Sequence, residues 1–185
     1  LQQVPVVGNV LESSVFPRLG VNSFPTGVEY GDVVKGLPVK PGTCKAIYCS
    51  HVLEHLSLAD MRQTLRNVYA YLEPNGIFRF VLPDLEYLTR QYLASTEADA
   101  AREFMEHSYL GKKARPRGLS GLMRNWLGNS NHLWMWDYKS MEQELAQAGF
   151  RNIRRAQYDD STEPRFHDVE EPGRWENHLG VECIK

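Results

Sequence analysis

Apolar positions fall into two rhythms from residue 45 onward. Ala46-Ile47-Tyr48-Cys49 is a short apolar run after the turn Pro41-Gly42, and it predicts a buried strand. Leu58, Met61, Leu65, Val68 and Leu72 then recur at spacings of 3, 4, 3 and 4, which is one apolar stripe of a helix. Ser57 precedes the stripe as a cap, with Asp60 three residues later. Pro74-Asn75-Gly76 ends the helix, and Ile77 to Leu82 predicts a second strand closed by Pro83. Strand, helix and strand make a βαβ unit, which calls for parallel strands and a right-handed crossover. Residues 85–94, 97–109 and 139–148 predict helices, the last ended by Gly149. Residues 152–158 and 179–184 predict two late strands, separated by a long loop holding Pro164, Pro172 and Gly173. The last strand is expected to pair antiparallel, because a hairpin-like return is simpler than another helical crossover. The fold class expected is an α/β three-layer sandwich with a mostly parallel sheet.

Residues 1–31 are punctuated by Pro5, Pro17 and Pro25 and by Gly8, Gly20, Gly27 and Gly31, and they read as loop-like. Residues 111–131 are rich in Gly, Arg and Asn and read as irregular. The chain of 185 residues is expected to form a single domain. It carries 21 basic and 23 acidic residues, a net charge of -2, which excludes a global basic field for nucleic acid. Apolar runs are too short for a membrane span, and no basic region followed by an apolar stretch marks a leader, so a cytoplasmic protein is expected. The three cysteines, at 44, 49 and 183, are odd in number and form no C-x-x-C pair; reduced thiols are expected and a thiolate zinc site is not.

The densest chemistry is Ser50-His51-Val52-Leu53-Glu54-His55, directly after the first strand. In open α/β sheets ligands bind outside the carboxyl ends of the strands, so position alone marks this stretch. One reading is a metal site: His51-x-x-Glu54-His55 matches the H-x-x-E-H pattern of inverted zinc peptidases. It needs a long helix through the motif, and the cap at Ser57 leaves room for about one turn. No metal ligand is assigned.

The other reading is a resemblance. The run from Ala46 to Leu56, then a helix, then Leu72-Glu73-Pro74-Asn75-Gly76 and a strand ending Leu82-Pro83-Asp84, resembles class I S-adenosylmethionine-dependent methyltransferases, nearest the methyltransferase type 11 branch. There a fourth strand ends in an "hVLEH" turn and a helix ending "L-x-P-G-G" leads to the fifth; here Asn75 stands for the first Gly. Asp32 with Gly36-Leu37-Pro38-Val39 resembles the "D-x-x-x-LPF" segment, Met141 to Phe150 the "AGF" helix end before the sixth strand, and Leu179 to Lys185 the seventh strand. The resemblance implies a Rossmann-like fold, S-adenosylmethionine as cofactor, and methyl transfer. Asp32 would accept from the adenine amino group with Val33 beside it, and Ser50, His51 and Val52 would lie near the sulfonium. Glu54 and His55 would brace the turn, where some relatives bind a divalent cation with acids and a His. Pro83 and Asp84 would border the acceptor pocket, and Asp84 equally suits a helix cap.

The glycine-rich turn of the first strand is not found. Gly8-Asn9 is the nearest candidate, so residues 1–31 are read as an atypical or truncated cofactor lobe. Residues 111–138 are read as a lid or substrate insertion. Its Lys112, Lys113, Arg115, Arg117 and Arg124 suit an anionic substrate, Trp134 a stacked sugar or base, and His132 a general base beside His51. The function expected is methyl transfer to a small-molecule or glycan-type acceptor, with no membrane or nucleic-acid partner and a homodimer left open. The alternatives are a non-catalytic module of the same fold and, more remotely, the zinc hydrolase.

Overall fold

The computed structural model describes residue 29 and residues 31–113 and 131–185. The chain divides into two compact units, Leu1–Asp32 with Ala114–Asn129, and Val33–Lys113 with Ser130–Lys185. The elements below all belong to the second.

Four strands form one sheet in the order β1-β2-β4-β3: β1 (Cys44–Ser50), β2 (Leu72–Pro83), β3 (Arg151–Ala156) and β4 (His178–Ile184). β1 and β2 run parallel, with Ala46 opposite Ile77 and Ser50 opposite Val81. β4 lies antiparallel between β2 and β3, as expected of the last strand. α1 (Leu58–Tyr71) makes the crossover from β1 to β2, and Ser57 caps it by accepting from Asp60 N. β2 begins five residues earlier than the apolar run suggests. The turn survives inside it as a bulge: Asn75 has φ 65°, and pairing jumps from Cys44↔Leu72 to Ala46↔Ile77.

Side chains alternate across the sheet. Phe78, Phe80 and Leu82 of β2 and Leu179, Val181 and Cys183 of β4 share one face, where Met61, Leu65 and Val68 of α1 pack with Met141 and Leu145 of α4 (Tyr138–Gln147). Each such buried side chain contributes about 1.5–3 kcal/mol. α4 begins with a capping box between Asp137 and Ser140.

The opposite face holds Arg79, which is 0% exposed. It donates to Glu170, to Asp160 (2.8 Å), to Glu182 (3.1 Å) and to the Gln157 carbonyl (2.6 Å). Its guanidinium stacks 4.4 Å from the ring of Trp175. The loop 157–177, with short 3-10 turns at Pro164–Asp168 and Pro172–Arg174, covers this face as the third layer. Gly180 permits it: a Cβ there would lie 2.3 Å from Trp175 Cζ3 and 2.5 Å from the Ala156 carbonyl. α2 (Leu85–Ala94) and α3 (Ala100–His107) pack together above the carboxyl end of β2, joined by the rings of Tyr92 and Phe104. α2 matches its predicted span and α3 is shorter at both ends. None of the described helices is long and apolar enough to cross a membrane.

Candidate functional site

The carboxyl ends of β1 and β2 lie side by side because the strands are parallel, and both turns that follow are fixed by backbone hydrogen bonds. His51 N donates to Val81 O at 3.0 Å, and His51 takes φ 53°, a left-handed conformation that costs a non-glycine residue energy. Leu53–His55 then makes a single 3-10 turn that buries Leu53 and Glu54. The segment after residue 130 straps the two turns together. Leu133 N (2.8 Å) and Trp134 N (3.2 Å) donate to the Glu54 carbonyl, and Leu85 N donates to Trp136 O (2.9 Å). Asp84 caps α2 through Glu86 N (2.8 Å) and takes an ion pair from Arg155 (3.4 Å). A cleft of about 880 Å³ opens between these turns, α2, α3 and the end of the 157–177 loop, a volume typical of small-molecule sites.

Histidines dominate its floor. His51, His55, His132 and His178 line it, with His107, Tyr87, Tyr109 and Arg174 around them. Ser50 Oγ lies 3.0 Å from His51 Nδ1, and the His51 ring meets His178 edge-on at 4.8 Å. Burial holds the His51 pKa at about 4, reinforced by the neighbouring His178 and Arg174. His132 is lowered too, by burial and then by His55, against a hydrogen bond to the Ser108 backbone. Glu54 is 1% exposed and neither of its carboxylate oxygens has a well-formed hydrogen bond. Burial pushes its pKa up, opposed more weakly by its own backbone amide and by His55. His55 Nε2 stands 3.9 Å from Glu54 Oε1, its Nδ1 faces the Asn131 carbonyl at 3.2 Å, and its ring meets His132 at 5.1 Å. Cys49 stays a thiol, since burial pushes it up to about 12.

A family model described as a methyltransferase domain matches residues 15–155. The chain belongs to the methyltransferase domain family. The motifs from Asp32 to Lys185 resemble those of the class I S-adenosylmethionine-dependent branch. Among curated proteins none matches this methyltransferase domain. Solved structures do: PigF with SAH (TM-score 0.51, 17% identity, 99% of this chain and 41% of that one), a SAM-dependent methyltransferase from Archaeoglobus fulgidus (0.48, 14%, 96% and 81%) and one from Thermotoga maritima (0.49, 12%, 94% and 68%). The methyltransferase domain spans only 36% and 59% of two further matched structures.

In the methyltransferase domain, His51, His132, Pro83 and Asp84 all line the cleft, although they come from three separate stretches. Ser50 stands behind His51 as its hydrogen-bond partner. Val52 is 40% exposed and is not among the lining residues. Val33 is held by Asn67 of α1, which donates to its carbonyl at 2.8 Å. Asp32 belongs to the other unit, and the glycine candidate Gly8 and most of the lid, residues 114–130, lie outside the described residues. Trp134 does not line the cleft. It is 42% exposed, and its ring lies 6.0 Å from that of Trp136, whose side chain is in the core. The H-x-x-E-H reading fails on geometry: His51 follows the end of β1 and only residues 53–55 turn, so no helix puts His51 and His55 on one face. Sequence reasoning missed His178, Arg174, Tyr87 and Tyr109, which reach the cleft from distant loops and helices and carry no local motif.

Proposed function

We propose that this chain transfers a methyl group from S-adenosylmethionine to a hydroxyl of a small-molecule or glycan-type acceptor bound in the histidine-lined cleft. The observation that carries it is His51: a neutral imidazole, in a strained backbone conformation, at the carboxyl end of β1 on the cleft floor. The membership of the family and the volume of the cleft support the cofactor, with Ser50 and His51 beside its reactive end. S-adenosylmethionine supplies a methyl group already activated on a sulfonium, so alignment of the acceptor does most of the catalytic work.

The chain's own residues then have three tasks. Tyr87, Tyr109 and Pro83 shape an amphipathic wall against which a ring or sugar lies. Arg174 offers a cation to a polar or anionic acceptor. His51 takes the proton that the acceptor oxygen sheds as its bond to the methyl carbon forms. With Nδ1–H donating to Ser50 Oγ, Nε2 keeps its lone pair and is the receiving atom. Calorimetric titration with S-adenosylhomocysteine tests the reading. Saturable heat is expected; none at millimolar ligand refutes cofactor binding and favours the non-catalytic module.

A further inference from the structure

We propose that Glu54, His55 and His132 bind one divalent transition-metal ion, of the zinc or cobalt type, in the wall of the cleft. Among the described residues, these three form the cluster whose ligand atoms lie within 4.8 Å of one another. Tetrahedral ligands at ~2.0–2.2 Å from an ion stand ~3.3–3.6 Å apart, so ordinary side-chain torsions close the gap.

The second observation is the state of those groups without an ion. Glu54 is 1% exposed, neither of its carboxylate oxygens has a well-formed hydrogen bond, and His132 Nδ1 is likewise buried without one. Buried polar groups are nearly always hydrogen-bonded, and a carboxylate left this way signals a missing partner. A cation meeting Glu54 and His132 satisfies all of them at once. The third observation is the outer shell. The Asn131 carbonyl faces His55 Nδ1 at 3.2 Å, which fixes the proton there and leaves Nε2, 3.9 Å from Glu54, with its lone pair free. Metal-bound histidines almost always carry such a partner on the other nitrogen.

The backbone assembles the site in advance. Glu54 and His55 share one 3-10 turn, and the Glu54 carbonyl holds Leu133 N and Trp134 N, so the residue that supplies one ligand also anchors the strap that delivers His132. Two imidazoles and a carboxylate suit zinc, cobalt or iron(II) better than calcium or magnesium, which take oxygen donors. Three protein ligands leave an open position, and because all three residues line the cleft, it faces the acceptor. There the ion would polarise the acceptor oxygen, and His132 would be a ligand, not a base. That role rests on the methyl-transfer reading; the binding of the ion does not.

The test uses the full chain stripped with a chelator. Calorimetry with Zn²⁺ is expected to show one equivalent bound at micromolar affinity or better, and Co²⁺ to give visible d–d absorption. His55→Ala and His132→Ala should each weaken binding by at least roughly tenfold. Zn²⁺ should raise the melting temperature of the parent and not that of Glu54→Gln, a variant that keeps its shape and needs no cation. If His132→Ala does not fold, His132→Gln is read in its place. No binding at millimolar Zn²⁺, or binding that survives unchanged in Glu54→Gln and the His132 variant, overturns the site. Because S-adenosylhomocysteine binding is read separately, a failure here stands apart from a failure of the methyl-transfer reading.

Discussion

Replacing Arg79 by Met should be among the most damaging single changes to the sheet. Arg79 is fully buried, and its guanidinium holds Glu170, Asp160 and Glu182 and stacks on Trp175. Met fills much of the volume but leaves three carboxylates without their central cation, and Arg154, which reaches Asp160 and Glu182, does not touch Glu170. Breaking a buried ion pair by removing one partner costs roughly 3–5 kcal/mol. For a chain of this size each kcal/mol shifts the melting temperature by roughly 2–4 °C, so a fall of roughly 6–20 °C is expected. Thermal melting followed by far-UV circular dichroism measures it. The double variant Arg79→Met/Glu170→Gln should recover part of the loss, because it removes the uncompensated charge. A single variant melting within about 2 °C of the parent, or a double variant melting lower than the single, refutes the assignment of this cluster as the clamp of the 157–177 loop.

In the metal-free protein His51 should titrate near pH 4, followed by its imidazole proton resonances; a midpoint above 6 contradicts the environment set by burial, His178, Arg174, His132 and His55, with Ser50 on Nδ1. Since its folded pKa lies below the unfolded value, the unfolded chain takes up the proton first, and stability should fall as pH drops from about 6.5 toward 4. Gly180→Ala should destabilise by about 1–3 kcal/mol in urea unfolding, because its Cβ meets Trp175 and the Ala156 carbonyl; an unchanged midpoint means the loop does not lie on the sheet as described. Asp84→Ala should lose about 0.5–2 kcal/mol with the cap of α2, and Asp84→Ser should keep most of it; if Ser restores stability but not turnover, Asp84 also serves the acceptor.

Much of the sheet was legible because its cores carry clean rhythms. The stripe from Leu58 to Leu72 and the span 85–94 could be read directly. The bulge at 72–76 could not, since Pro74-Asn75-Gly76 looks the same whether it ends a strand's pairing or interrupts it. Arg79 carries a further signal: a lone arginine amid Ile77, Phe78, Phe80 and Val81 demands buried acids somewhere, but Glu170 and Glu182 lie too far along the chain for spacing to reveal them. The same holds at the cleft. Local spacing paired His55 with His51, whereas the fold turns His55 toward His132, a partner that becomes visible once the strap is seen to dock on the Glu54 carbonyl.

The strand order also fixes a sequence of events in time. β4 follows β3 along the chain but lies between it and β2, so β3 lacks its native partner until residues 178–184 are available. During synthesis β1, α1 and β2 can assemble early, as neighbours in sequence, while β2 waits with one edge open. Asp160, Glu170 and Trp175 arrive only just before β4, and Glu182 within it. Closure of the sheet, burial of the arginine and delivery of His178 to the cleft are therefore one late event.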